Sequence, residues 1–229
     1  MSLIIVVINT ILRLILISLI KWIGEDTHSA QIKSITNGVF VTQFFNTAIL
    51  LILVNANFKE THLPLSSVFK GPFYDFTPDW YTAVGYRLTQ TMLINAFFPF
   101  IEFGIAYTKL TLMRKKDRSW GSDTYKTKKT SMQLYTDLYS GPEYLIHFKY
   151  SGMMNVTFVT FMYGMGMPIL FPIAAITYFI SYSLERLLTA YFYQLPPTFD
   201  DQLTKNSLSI LRWGAVLYLF FGFWMMSNM

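Results

Sequence analysis

Along this chain, long apolar runs alternate with short polar segments, and the runs have helical rather than strand length. Six of them, at 3–23, 34–54, 81–113, 148–167, 169–193 and 207–226, reach the roughly 20 residues that a helix needs to cross the hydrocarbon of a bilayer. The stretch 148–193 is the most informative. It carries no charge between Lys149 and Glu185, and Gly164, Gly166, Pro168 and Pro172 break it in the middle. That pattern predicts a helix, a tight turn and a second helix, all at membrane depth. Backbone groups in lipid must be satisfied within the segment, so the spans are expected to be helical. The prediction is an all-α, polytopic membrane helical bundle of about six transmembrane helices, forming one transmembrane domain over 1–229.

Composition supports this reading. Only 14% of the 229 residues are charged and 53% are hydrophobic, where soluble domains carry about 25% charged residues. There is no cysteine, which excludes disulfides, thiolate metal sites and cysteine nucleophiles. The N-terminal run resembles a signal peptide only superficially. It has no basic leader, Arg13 interrupts it, and no small-residue cleavage site follows, so it reads as a retained first span. Seven of the 18 basic residues fall between Arg114 and Lys129. This cluster reads as a cytoplasmic loop under the positive-inside rule rather than a nucleic-acid patch. Counting outward from it, 24–33 and 194–206 are cytoplasmic, whereas 55–80 and the Gly-Met-Gly-Met-Pro turn lie outside. Trp22, Trp80 and Trp213 fall near span ends, as an aromatic belt requires.

Polar residues inside the spans are the candidate chemistry, because ionisable groups at membrane depth are costly and mark function by default. Arg87, Asn95 and Glu102 recur at eight and seven residues in the third run, near one helix face. Arg87 suits a snorkelling position at the interface. Glu102 lies deeper, facing either a water-exposed cavity or a buried basic partner. The second run carries Asn37, Thr42, Gln43 and Asn46, and the fourth carries Asn155. Such residues serve as interhelical hydrogen-bond glue or line a cation path with their carbonyl oxygens. Gly164, Gly166 and Pro168 make a tight turn, or a hinge and close-approach site. Enzyme signatures such as HExxH, GxSxG and Walker A are missing. His28, His62 and His147 lie in separate segments, so no metal or cofactor site is expected.

The passage 141–193, with Met162-Tyr163-Gly164, Pro168-Ile169-Leu170-Phe171-Pro172, Arg186 and Tyr191-Phe192-Tyr193 before Pro196, resembles the OSCA/CSC family of calcium-permeable channels. Their corresponding span ends near VxYSxxxPxIxPF, and a YxYxYxP-like tail follows the next one. The resemblance implies an osmotically or mechanically gated cation channel, related in fold to anoctamins and TMC proteins. It also implies a homodimer with one pore per subunit, in the plasma membrane rather than an internal one. Glu102 resembles a pore-facing glutamate of that family. Family members are much longer, so the chain is expected to correspond to part of their transmembrane region and to associate with the spans it lacks.

The leading expectation is therefore a channel core, in which Glu102 attracts cations such as calcium. Asn95, Asn37, Gln43, Asn46 and Asn155 line the path, and Gly164 to Pro168 bend. Carboxylate and amide oxygens suit hard cations. A lipid scramblase with a polar headgroup groove is the second expectation. A non-conducting membrane subunit of a larger complex is the third. Membrane lipids are partners in all three, and nucleic acid in none. A secondary transporter fits less well, because the chain shows no related halves.

Overall fold

The computed structural model describes residues 27–57, 71–121, 127–194 and 201–227, with scattered positions between 11 and 25. The expected first span at 3–23 lies largely outside these residues. Six helices carry the described fold: α1 (Ser29–Asn55) and α2 (Pro78–Asp117), α3 (Met132–Tyr139), α4 (Ile146–Tyr163), α5 (Leu170–Tyr191) and α6 (Gln202–Ser227). No strand is present among the described residues, only an isolated bridge between Ala56 and Phe73. The expected all-α helical bundle is the observed fold class.

Local chemistry explains where the helices begin and how they are interrupted. Thr27, in extended conformation, caps α1 by accepting the Ala30 N–H at its hydroxyl, 3.2 Å away. Pro78 opens α2 directly after extended Thr77, a position where its missing N–H costs nothing. Both long helices contain one π-helical turn, Phe45–Ile49 in α1 and Tyr81–Gly85 in α2. Pro99 sits inside α2, so the Asn95 carbonyl lacks its usual helical donor. Beyond α2, Ser119 and Trp120 both adopt positive φ, 54° and 62°.

Among the described residues, only α1, α2 and α6 are long and apolar enough to cross a membrane by length and composition. The helices at 146–163 and 170–191 were expected as spans too. α4 is diluted by His147, Lys149, Ser151, Asn155 and two threonines, and α5 by tyrosines and the Glu185-Arg186 pair. The reason for α4 lies in its surroundings. It packs against α1 and α6, which also pack on each other, and half of its 18 residues are buried. A helix wrapped by protein has no need of an apolar face toward lipid.

The chain divides into two compact units. The first contains α1, α4, α6, the N-terminal part of α2 and the first turns of α5. Its core joins Ala48 of α1, Trp80, Val84, Leu88 and Met92 of α2, Val159, Met162 and Tyr163 of α4, Leu170 and Ile173 of α5, and Met225 of α6. The second unit comprises Ala96–Leu145 and Thr177–Thr198. Here Phe103 meets Phe192 edge-on at 5.2 Å, and the Gln194 N–H donates to the Pro142 carbonyl at 3.0 Å. Gly141 takes φ 101° with its α-carbon pressed against the Phe192 carbonyl, so a side chain there would meet main chain.

Beside its apolar core, the first unit buries many polar side chains and exposes large apolar ones. Thr36, Gln43, Thr47, Thr91, Ser151, Asn155, Thr160 and Ser207 are buried. Val216, Leu219, Phe220 and Phe223 of α6 point outward, Phe223 with 79% of its surface exposed. These outward positions recur at three- and four-residue steps, which is one helical stripe.

Candidate functional site: a buried polar seam beside a glycine turn

Two packed helices build the seam. On α1, Thr36, Gln43 and Thr47 share the buried side, as spacings of seven and four dictate. On α4, Ser151, Asn155 and Thr160 are buried. The helices run parallel, and their register is fixed by two contacts. Phe158 packs between Phe40 and Phe44 at ring distances of 4.8 and 5.6 Å. Tyr163 donates its hydroxyl to the Ala48 carbonyl at 2.8 Å.

The second contact lies at the π-helical turn. A widened turn replaces i to i+4 bonds with i to i+5 bonds, and here the Leu50 N–H donates to the Phe45 carbonyl. Ala48 lies in that turn, and Tyr163, fully buried, takes up its oxygen. Trp80 stacks on Tyr163 at 6.1 Å with the rings 23° apart, and Phe76 closes edge-on against both Trp80 and Trp224, at 4.8 and 5.0 Å.

The Gly164–Pro168 turn fits against this aromatic group. Neither glycine is among those with positive φ; what they supply is room. A methyl group on Gly164 would come within 2.7 Å of the Phe171 ring, and one on Gly166 would collide with the end of Met225 and approach the Tyr81 hydroxyl to 2.7 Å. Gly85, in the other π-helical turn, leaves space for the Met167 sulfur, which would lie 2.7 Å from an added methyl. Residues 164–166 form a turn, and both glycines in it sit in close contact with neighbouring groups.

The expected site residues fall into three groups. Asn155 and Gln43 are buried in the first unit, and Asn46 is half-buried there. Asn155 is the distinctive one, because its Oδ1, like Thr160 Oγ1, is buried without a hydrogen-bond partner among the described residues. Asn37 is held in a cross-helix bond, accepting from Asn206 Nδ2 at 2.8 Å. Asn95 is half-buried at the end of the first unit's part of α2, and Glu102 is half-buried in the second unit. Arg87 is exposed, in keeping with an interfacial position. Sequence reasoning missed Thr160, Asn206, the Tyr163–Ala48 bond and the Pro99 break. Pro99 alone was open to reading, since a proline within an apolar run marks a lost bond wherever the run is helical.

Among the described residues, no three His, Asp or Glu side chains converge as a metal site. No known protein family, curated protein or solved structure matches the chain.

Proposed function

We propose that the chain is a multi-pass integral membrane protein and the pore-forming core of a mechanically or osmotically gated, calcium-permeable cation channel of the plasma membrane. One observation carries the channel reading: the buried Asn155 and Thr160 oxygens lack protein partners. A buried polar group without a hydrogen bond costs a few kcal/mol, so a dry interior selects against these residues. Water or a passing cation meets the same oxygens at no such cost. The outward apolar stripe of α6 gives the surface that lipid requires.

The test is stretch-evoked current from the chain reconstituted alone in liposomes. Wild type is expected to conduct cations. Asn155→Leu and Thr160→Val are expected to cut conductance several-fold while keeping or raising thermal stability, since each removes a stranded polar group. Glu102→Gln is expected to weaken cation preference. Full current in Asn155→Leu and Thr160→Val removes these residues from the path. A folded, inserted but silent wild type supports the second reading, a non-conducting subunit, which the Asn37–Asn206 bond favours as interhelical glue. Lipid flipping without current supports a scramblase.

A further inference from the structure

We propose that the basic end of α2 binds an anionic phospholipid, with the acyl chain in an apolar groove and the phosphate on Lys109 and Lys116. The inference rests on the membrane reading above and is independent of the channel reading. α2 has 40 residues, about 60 Å of helix, whereas a bilayer with its headgroups measures about 40–45 Å. One end must therefore reach or pass the headgroup layer. The C-terminal end, with Arg114, Lys115 and Lys116 in its last turn, is the one whose charge suits that position.

A groove of about 510 Å³ lies along this end, lined by Gly104, Ile105, Thr108, Lys109, Leu112 and Met113. Its floor is almost wholly apolar. Thr108 turns its hydroxyl back to the Gly104 carbonyl at 2.6 Å, and open space surrounds the Gly104 α-carbon. Ile105 is 65% exposed. At 100° per residue, Ile105, Lys109, Leu112 and Lys116 fall within one narrow stripe. The stripe alternates apolar and cationic groups, and neither lysine has an ion-pair partner among the described residues. Arg114 and Arg118, by contrast, are occupied within the protein, by the Leu138 and Tyr139 carbonyls and the Tyr139 hydroxyl. Two uncommitted cations about 10 Å apart along the axis, beside an open apolar channel, match an acyl chain joined to a negative headgroup. A zwitterionic lipid carries the same phosphate but offsets it with its own cation, so it gains less from the two lysines.

The experiment is native mass spectrometry of the detergent-solubilised full chain, titrated with phosphatidylserine or phosphatidylcholine of identical acyl chains. Phosphatidylserine is expected to bind in preference. Lys109→Gln and Lys116→Gln should each weaken it about five-fold, the scale of one basic residue at an anionic surface. Ile105→Asn should weaken both lipids. Lys33→Gln, an exposed lysine on another helix, should leave binding unchanged. Equal retention of both lipids overturns the site, as does a loss in Lys33→Gln that equals the loss in Lys109→Gln. A chain that holds neither lipid and stays in solution without detergent overturns the membrane reading itself.

Discussion

Tyr163 donates its hydroxyl to the Ala48 carbonyl, a main-chain atom inside the widened turn of α1. Both groups are buried, so removing one leaves the other unsatisfied. Tyr163→Phe is expected to cost about 1–3 kcal/mol, read as a lower midpoint of thermal unfolding in detergent. The stacking surface on Trp80 would be kept. Asn155 shows the opposite logic: its carbonyl oxygen has no protein partner to lose, so its replacement by leucine separates conduction from stability. The sequence exposed the two residues unequally. Asn155 stood out as a polar residue in an apolar run. Tyr163 did not, because tyrosine at a span end reads as an interfacial ring, and its partner is a backbone atom with no signature of its own.

At the level of elements, the long helices were legible and their interruptions were not. Apolar runs of 20 residues or more mark α1, α2 and α6. The π-helical turns meet side chains from distant parts of the chain, Tyr163 at Ala48 and Met167 at Gly85. α3 was missed for a related reason. Its eight residues are too few to fold by propensity alone, and it is held by contacts from the end of α2. Arg114 reaches the carbonyls of Leu138 and Tyr139 at 3.3 and 2.9 Å. Asp117, beyond the apolar part of α2, accepts from Thr127 Oγ1 at 2.8 Å, from the Lys128 N–H at 3.1 Å and from the Tyr139 hydroxyl at 3.2 Å. Burial pushes its carboxyl upward, but these hydrogen bonds and the Lys129 charge outweigh that effect and hold it below the usual carboxylate range. A depressed folded value means that the clasp is fully present above about pH 3.9, the ordinary aspartate value. It is then lost as pH falls through the lower folded value. Hydrogen-exchange protection of 127–139 is expected to follow that course, and Asp117→Asn is expected to remove the pH dependence.

For the molecule as a whole, the arrangement of polarity matters more than its amount. Buried threonines, glutamine and asparagine lie behind an apolar exterior, and composition alone announced the solvent without showing which helix is innermost. Within the first unit α4 holds that place, with half of its residues buried and helices α1 and α6 packed on it, and its apolar run gave no sign of which partners would surround it. The outward stripe of α6 carries the corresponding test. Val216→Arg, near the middle of this helix and exposed, is expected to disfavour membrane insertion by up to about 2.5–3.5 kcal/mol, the central-helix value, measured as the inserted fraction in a translocon assay. An arginine at Asn206, near the N-terminal end of the same helix, is expected to cost far less.

The π-helical turn at Phe45–Ile49 also bears on how this chain tolerates changes in length. A widened turn absorbs one residue within a helix that otherwise keeps its bearing. Removing one residue there would draw the turn back to ordinary width and leave Thr36, Val39 and Phe40 on the side they now bury. Removing one from the regular turns nearby would swing those side chains about 100° round the axis. The fold thus carries, within a buried helix pair, a place where the chain can shorten by one residue with its core-facing side chains kept in place.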